Sequence, residues 1–220
     1  MLQIKDLFDL THSAAGDYLT GFEYPWQALA GIKQLILDLG KNLGSDYQEV
    51  SPQVWVHKTA TVAPTAFLGA PCIIGAHTEV RHCAFIRGSA LVGENCVVGN
   101  SVELKNVILF DNVQVPHYNY VGDSILGYRS HMGAGSLTSN VKSDKTLVTV
   151  KAPGGPIPTG LKKFGAILGD FVEVGCNSVL NPGTVVCPHS NIYPTSCVRG
   201  VVPPDSIFKN NGTVSAKRKD

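Results

Sequence analysis

A repeat of six residues dominates the middle of this 220-residue chain. From Val56 to Phe110 every sixth residue is aliphatic or aromatic, and the residue two places before each is small or branched. A helix repeats near 3.6 residues and an isolated strand at two, so neither explains the period alone. A solenoid with one short strand and one corner per repeat does, because residues i and i−2 share the inner face of a strand. The expected inward residues are Val56, Val62, Leu68, Ile74, Val80, Ile86, Val92, Val98, Leu104 and Phe110.

The repeat divides the chain into three segments. Residues 1–46 do not follow it, and apolar residues at three- and four-residue spacing after Pro25 predict a helical N-terminal cap over the open edge of the first turn. A surface for docking another protein is the alternative for this region. Residues 47–201 are predicted to form the repeat domain, with a break at Pro116 and an inserted loop at 139–165. Residues 202–220 are expected to form a C-terminal tail.

Composition narrows the functional classes. The formal net charge of +1 implies neither a basic surface for nucleic acid nor an acidic tail, so no nucleic-acid partner is expected. We find no apolar run long enough to cross a bilayer, so we expect a cytoplasmic protein with no membrane partner. None of the six cysteines lies in a CxxC pair, which favours a reducing compartment without a disulfide framework.

Two cations stand out within the repeat. Arg87 and Lys105 are eighteen residues apart, which is one full turn if three hexapeptides complete a triangular turn. Stacked turns lie about 4.8 Å apart, so the two charges repel unless an anion lies between them. Two solvated cations, or neutralisation of Lys105 by Glu103, are the alternatives. His117 follows at the break in register, where its imidazole is suited to general-base chemistry or simply closes a loop.

The segments His117-x-x-Tyr120-x-Gly122-Asp123 and Gly133-Ala134-Gly135-x-x-Thr138-x-Asn140 are similar to a known family. They resemble the C-terminal acetyltransferase domain of the bacterial bifunctional N-acetylglucosamine-1-phosphate uridylyltransferase/glucosamine-1-phosphate acetyltransferase. The resemblance covers residues 52–210. It implies a left-handed parallel β-helix, a homotrimer with active sites between subunits, and acetyl-CoA as co-substrate. It also implies an amino-sugar phosphate as the acceptor, in the pathway that makes UDP-N-acetylglucosamine for the cell envelope.

The resemblance also implies a role for individual residues. His117 matches the catalytic base, and Ala134 matches a residue whose backbone N–H contacts the acyl-CoA arm. Lys209 is expected near the 3′-phosphate of CoA. At His131 and Cys176 the chain departs from the family, which has an asparagine on the sugar and a serine near the acetyl group; Val141 replaces a tyrosine. The residues expected to bind the substrate are Arg87, Lys105, Tyr120, His131, Asn140 and Lys163, and those expected to bind the cofactor are Ala134, Cys176 and Lys209.

Other functions remain open at this point. No glycine-rich nucleotide-binding loop precedes the repeats, so uridylyl transfer is not expected of this chain. A non-catalytic sugar-phosphate-binding or scaffold trimer is the main alternative. A zinc site of the γ-carbonic-anhydrase kind is a weaker alternative, because His77 and His82 have H-x4-H spacing but His57 is out of phase with both. No metal is therefore expected.

Overall fold

The computed structural model describes residues 2–218. Met1, Lys219 and Asp220, which belong to the expected cap and tail, lie outside the described residues. The first forty residues form short helical segments. In chain order these are α1 (Ile4–Leu7), a 3-10 helix (Leu10–His12), α2 (Gly16–Thr20), a second 3-10 helix (Pro25–Gly31) and α3 (Ile32–Gly40).

Short strands make up most of the remaining described chain. They are β1 (Tyr47–Ser51), β2 (Val54–His57), β3 (Thr61–Val62), β4 (Phe67–Leu68), β5 (Cys72–Ile74), β6 (Glu79–Val80), β7 (Phe85–Ile86), β8 (Ala90–Val92), β9 (Val97–Asn100), β10 (Glu103–Leu109), β11 (Gln114–His117), β12 (Tyr120–Leu126), β13 (His131–Met132), β14 (Leu137–Thr138), β15 (Thr149–Ala152), β16 (Gly155–Pro158), β17 (Ala166–Leu168), β18 (Glu173–Val174), β19 (Val179–Leu180), β20 (Thr184–Val186), β21 (Asn191–Ile192), β22 (Cys197–Val198), β23 (Val201–Val202), β24 (Ser206–Phe208) and β25 (Val214–Ala216).

Parallel pairing stacks these strands into the faces of a triangular coil. The first face contains β2, β5, β8, the end of β10, the end of β12, β17, β20 and β23. The second face contains β3, β6, β9, β11, β13, β18, β21 and β24. The third face contains β4, β7, the start of β10, the start of β12, β14, β19 and β22. This architecture confirms the predicted mainly β, left-handed parallel β-helix.

The inward positions of the repeat form the core. Ile74, Ile86, Val98 and Leu104 are fully buried, whereas Val62 at the first turn is only half-buried because no earlier turn covers it. The small residues two places earlier, such as Cys96, are buried beside them. The backbone turns many of the corners through a residue of positive φ, and asparagine occurs at several of them, as at Asn95 and Asn177, because it tolerates this conformation.

The break in register occurs earlier than the sequence predicts. Strands pair at a spacing of eighteen residues as far as Glu103, but Val107 pairs with Ala90 at a spacing of seventeen. The turn is therefore one residue short near Asn106. Consequently Leu109 occupies the inward position assigned to Phe110, and Val115 pairs with Val98 at the position assigned to Pro116. Phe110 instead lies one position later, where its buried ring packs at a tilt against Phe8.

The helical segments lie on the side of the coil rather than over its end. α3 packs against β5, β8 and β10 of the first face. There the outward-facing residues are also apolar and buried, so these strands carry consecutive apolar residues: Ile73, Leu91, Ile108, Ile125 and Ile167. The N-terminal edge is covered instead by β1, which pairs antiparallel with β2. Docking of a partner through the helices stays a prediction.

The insertion and the C-terminal residues are also ordered elements of the fold. Within 139–165, β15 and β16 form an antiparallel hairpin, and β15 packs against β20 and β23. Val148 and Val150 are buried in this contact, so the segment is not a simple loop. The expected tail continues the coil through β24, and β25 folds back antiparallel to β24. Among the described helices, none has the length and apolarity needed to span a membrane.

Candidate active site

Arg87 and Lys105 lie one above the other at the corner between the third and first faces, which we call the cation corner. The Arg87 N–H donates to the carbonyl of Leu104 at 2.9 Å, and Leu104 pairs with Ile86. Lys105 pairs with Gly122 on the next turn. Ser139, Asn181 and Arg199 continue the same corner on later turns. The spacing of eighteen residues thus correctly predicted that Arg87 and Lys105 are neighbours.

Arg87 and Lys105 each have a carboxylate partner of their own. Arg87 Nη1 lies 2.8 Å from Glu103 Oε1, and Lys105 Nζ lies 2.9 and 3.0 Å from the two carboxylate oxygens of Asp123. Glu103 therefore neutralises Arg87, and the suggestion that it neutralises Lys105 is wrong. The repulsion expected between the two cations is relieved within the chain, without an external anion.

Asp123 is the centre of the polar cluster at this corner. It is 4% exposed and adopts a positive φ of 49°, which turns its side chain back towards Lys105. Its carboxylate also accepts hydrogen bonds from Asn106 Nδ2 at 3.0 Å and from Asn140 Nδ2. Three donors, two from β10 and one from Asn140 after β14, therefore compensate the desolvation of one buried charge.

Tyr120 connects this cluster to the third face. A Cβ atom on Gly122 would collide with the ring of Tyr120, so the glycine gives the ring room to lie against the Gly122 backbone. The Tyr120 hydroxyl accepts a hydrogen bond from Asn140 Nδ2 at 3.1 Å. Burial, with the negative charges of Asp123 and Glu103, raises the pKa of Tyr120. The phenol is therefore protonated at neutral pH and has a proton to donate to a ligand.

Lys163 approaches the cluster through the end of the insertion. The N–H of Phe164 donates to the carbonyl of Asn140 at 2.9 Å, and the N–H of Gly165 donates to the carbonyl of Asp123 at 2.9 Å. Lys163 itself is exposed. The structure thus brings Arg87, Lys105, Tyr120, Asn140 and the backbone of Lys163 to one region.

His117 lies at the opposite edge of the third face, at the corner shared with the second face, which we call the histidine corner. Its carbonyl accepts from Gly135 N–H at 3.0 Å, which places Ala134 directly above it on the next turn. The carbonyl of Ala134 accepts from Asn177 N–H at 2.8 Å, which places Cys176 one turn further. Tyr120 follows His117 by three residues, on the other side of the corner, where it begins β12.

The groups at the histidine corner are available for binding. The imidazole of His117 is exposed and makes no hydrogen bond within residues 2–218. Within the same residues, the backbone N–H groups of Ala134 and Cys176 have no acceptor. Lys209 follows β24, whose pairing with β21 places it beside the same corner, about four turns or 19 Å from His117.

His131 lies apart from the other substrate-binding candidates. It is on the outer side of the second face, paired with Gln114, and its Nδ1 lies 2.8 Å from Glu173 Oε2. Neither the cation corner nor Tyr120 shares this face. The structure therefore does not bring His131 together with the predicted sugar site within one chain.

Sequence reasoning gave no role to Asp123 or Asn106. Asp123 stands inside the quoted motif, which is its one sequence signal, because the register here is seventeen residues and Gly122 rather than Asp123 lies directly above Lys105. Asn106 carries no such signal, because its contact with Asp123 depends on the short turn at that residue.

The alternative zinc site finds no support in the geometry. His77 and His82 lie at the two opposite ends of β6, and His57 lies in β2 on the first face. In the described part of the chain, no group of three or more histidine, cysteine, aspartate or glutamate side chains is arranged to hold a metal ion.

The fold and these corners define the chain as a hexapeptide-repeat solenoid protein with a polar site along one face. Residues 71–202 match the sequence profile of the GMPPB C-terminal domain, and the chain belongs to that family.

Relatives with similar sequences include larger bifunctional proteins. The chain is 29% identical over 189 residues to the bifunctional sugar-1-phosphate nucleotidylyltransferase/acetyltransferase of Sulfurisphaera tokodaii, covering 84% of this chain and 47% of that protein. It is 30% identical over 138 residues to the bifunctional protein GlmU of Methanococcus maripaludis strain C5, covering 62% of this chain and 33% of that protein. The chain thus spans about half or less of the length of these relatives.

Solved structures with a similar fold have low sequence identity. A hexapeptide transferase family protein from Anaplasma phagocytophilum is 13% identical with a TM-score of 0.42, covering 75% of this chain and 79% of that one. The acetyltransferase domain of PglB from Neisseria gonorrhoeae, in complex with acetyl coenzyme A, is 14% identical with a TM-score of 0.34, covering 86% of this chain and 67% of that one.

The burial of Asp123 predicts that its ion pair contributes more to stability than the exposed pair of Glu103. Asp123→Asn, which keeps size and tolerates the positive φ, should lower the free energy of unfolding by about 1–3 kcal/mol. Glu103→Gln should lower it by less than about 1 kcal/mol, because its pair with Arg87 is solvated. Urea denaturation of both variants measures the difference. Equal losses would contradict a structural role for the Asp123 cluster.

Proposed function

We propose that this chain is an acetyl-CoA-dependent N-acetyltransferase that acts on an amino-sugar phosphate. The observation that carries the proposal is the histidine corner. There an exposed imidazole at His117 is followed, on the next two turns, by the unbonded N–H groups of Ala134 and Cys176. The relative from Sulfurisphaera tokodaii, which is named as a bifunctional nucleotidylyltransferase/acetyltransferase, supports the same class.

The cofactor fits the histidine corner as an extended chain. Backbone N–H groups at Ala134 and Cys176 are suited to the carbonyl oxygens of the thioester and the pantetheine arm. Lys209, about four turns away, supplies a positive charge where the phosphates of the nucleotide end would lie. The thiol of Cys176, which is exposed, lies beside the acyl group in this arrangement.

The chemistry requires one proton transfer at His117. The amino nitrogen of the sugar attacks the thioester carbon, the C–N bond forms, and the C–S bond breaks. An unprotonated nitrogen of the His117 imidazole takes the proton from the amine. The thiolate of CoA leaves and is protonated to the free thiol.

The sugar is placed by the third face and the cation corner. The Tyr120 hydroxyl donates to a sugar oxygen, and it is oriented by the hydrogen bond that it accepts from Asn140 Nδ2. Arg87 is the cation best able to turn towards a phosphate, because its pair with Glu103 is exposed, whereas Lys105 is held by buried Asp123. Lys163 adds a further charge nearby. A glucosamine-1-phosphate-like acceptor, in UDP-N-acetylglucosamine and cell-envelope precursor synthesis, fits these groups.

The exposed side of the third face supports the proposed homotrimer. The first face is covered by the chain itself and the outer side of the second face is mostly polar. The third face presents Phe67 and Phe85, 58% and 44% exposed, with their rings tilted against each other 5.7 Å apart. Apolar side chains in contact on an open sheet favour an interface with another copy. Tyr120 lies in the same outward row, and His117 at its margin, so the active site would form between subunits.

The first prediction concerns assembly. Phe85→Arg should convert the trimer to monomers, because it places a charge within the proposed apolar interface. Phe171→Arg is the matched control, since Phe171 is also exposed but lies at the corner between the first and second faces, where Arg129 occupies the equivalent place one turn earlier. Analytical ultracentrifugation measures the mass of each. A wild-type monomer, or the same mass in both variants, would contradict the proposal.

The second prediction concerns the base. His117→Ala should lower kcat for acetyl-CoA and glucosamine-1-phosphate by about 10²–10⁴-fold, with little change in sugar-phosphate binding. His82→Ala, at the same corner two turns earlier, should leave kcat unchanged. A thiol-release assay and isothermal titration calorimetry measure the two quantities. Tight sugar-phosphate binding without turnover in the wild-type protein would favour the non-catalytic scaffold instead.

The third prediction concerns the phosphate. Arg87→Ala should raise KM about tenfold or more for glucosamine-1-phosphate, because a charge-assisted hydrogen bond is lost. The effect on glucosamine itself should be much smaller. Glu103→Gln should lower KM for the phosphorylated sugar, since it frees the guanidinium. Steady-state kinetics with both sugars test this, and equal losses with and without the phosphate would exclude the role.

A further inference from the structure

A second polar pocket lies on the cation corner, beyond the site described above. It has a volume of about 310 Å³ and lies between the insertion and the corner residues Ser139, Asn181 and Arg199. The first arm of the insertion forms one wall and β15 forms the other. Ser139 is two turns past Lys105 along this corner, about 10 Å, and none of the residues that line the pocket belongs to the Asp123 cluster.

Cations dominate the charge of this pocket. Lys142, Lys151 and Arg199 line it, with Asp144 as its one carboxylate. Asp144 lies 3.3 Å from Lys142, and Lys142 also donates to Thr146. Within the described residues, neither Lys151 nor Arg199 contacts a carboxylate. This differs from Arg87 and Lys105, which are both paired.

The backbone positions the two unpaired cations. Arg199 Nη2 donates to Asn181 Oδ1 at 3.1 Å, which orients the guanidinium with a neutral partner and leaves its charge uncompensated. Gly200 adopts a φ of 88°, and a Cβ there would stand 2.9 Å from the carbonyl oxygen of Lys151. The glycine therefore allows β15 to approach the corner, and this approach places Lys151 at the pocket beside Arg199.

We propose that this pocket binds a diphosphate group. A planar guanidinium and an ammonium can each hold one phosphoryl group, and the hydroxyls of Ser139 and Thr149 in the lining supply neutral donors. A carboxylate ligand would leave one of the two cations without a counterion. A diphosphate occurs both in a nucleoside diphosphate, as part of a nucleotide sugar, and in the nucleotide end of CoA.

Binding here is independent of the acetyl transfer proposed above. The pocket shares no residue with the histidine corner, and its occupancy is measured without turnover. His117→Ala should therefore bind inorganic pyrophosphate as the wild-type protein does. A negative acetyltransferase assay would contradict the proposed function but not the proposed diphosphate site.

Isothermal titration calorimetry with inorganic pyrophosphate tests the pocket. The wild-type protein should bind pyrophosphate more tightly than inorganic phosphate, and the affinity should fall as salt is raised. Lys151→Gln and Arg199→Gln should each weaken binding by about tenfold or more, because each removes a charge-assisted contact. Lys33→Gln, an exposed cation on α3 with the same change in net charge, should bind as wild type. Circular dichroism and thermal melting establish that each variant is folded.

The source of the diphosphate is identified by two further titrations. UDP or GDP binding that is lost in Lys151→Gln and Arg199→Gln identifies a nucleoside diphosphate. If CoA and dephospho-CoA binding are both lost in the same variants, the diphosphate is that of the cofactor, because dephospho-CoA lacks only the 3′-phosphate; the placement of the nucleotide end beside Lys209 would then be wrong. The proposal is overturned if pyrophosphate binds the Lys151→Gln, Arg199→Gln double variant as tightly as wild type, if Lys33→Gln weakens it equally, or if none of these ligands binds.

Discussion

The backbone hydrogen bonds between successive turns decide which side chains share a corner. Arg87 N–H donates to Leu104 at 2.9 Å and Gly135 N–H donates to His117 at 3.0 Å, so each turn is locked to the next at a fixed register. A slip of one residue in a strand moves every side chain to the opposite face. Here the slip occurs at the corner that contains Asn106, between the strand positions of Leu104 and Val107, so the strands that follow are not inverted.

This short turn produces the candidate site. At a spacing of eighteen residues, Asp123 would stand directly above Lys105; at seventeen, Gly122 takes that place and Asp123 lies one position on. Gly122 leaves room for the ring of Tyr120, and the left-handed conformation of Asp123 returns its carboxylate to Lys105. The two cations are alike in sequence but differ physically. Lys105 belongs to a buried network that stays fixed, whereas the exposed pair of Arg87 can exchange its carboxylate for a ligand.

The period of six was enough to predict the coil and most of its core, because burial of one inward residue per strand is a local rule. It could not locate the slip, since Leu109 and Phe110 are both apolar and both buried, and only the pairing with Val92 distinguishes them. The pair Arg87 and Lys105 was predictable from spacing. Their separate carboxylates were not, because choosing between Glu103 and Asp123 requires the corner conformation.

The sequence also contains a signal that the first face is covered by a second layer, although the six-residue period does not include it. Ile73, Leu91 and Ile108 point outward, and each stands beside an inward apolar residue, so these strands read as consecutive apolar residues. Strands buried on both sides have this pattern. It predicts a second layer, which the helices supply over the early turns and the β15–β16 hairpin supplies over the later ones.

The packing of the β15–β16 hairpin on the first face therefore has two consequences. Its buried residues Val148 and Val150 cover the first face, and the same contact brings Lys151 to the corner beside Arg199. Because apolar burial anchors the hairpin, the walls of the diphosphate pocket form without a ligand, so binding does not have to order the segment. The insertion thus covers the first face and also places the charged Lys151 at the edge of that layer. Its position depends on the same stacking of turns that aligns the cation corner.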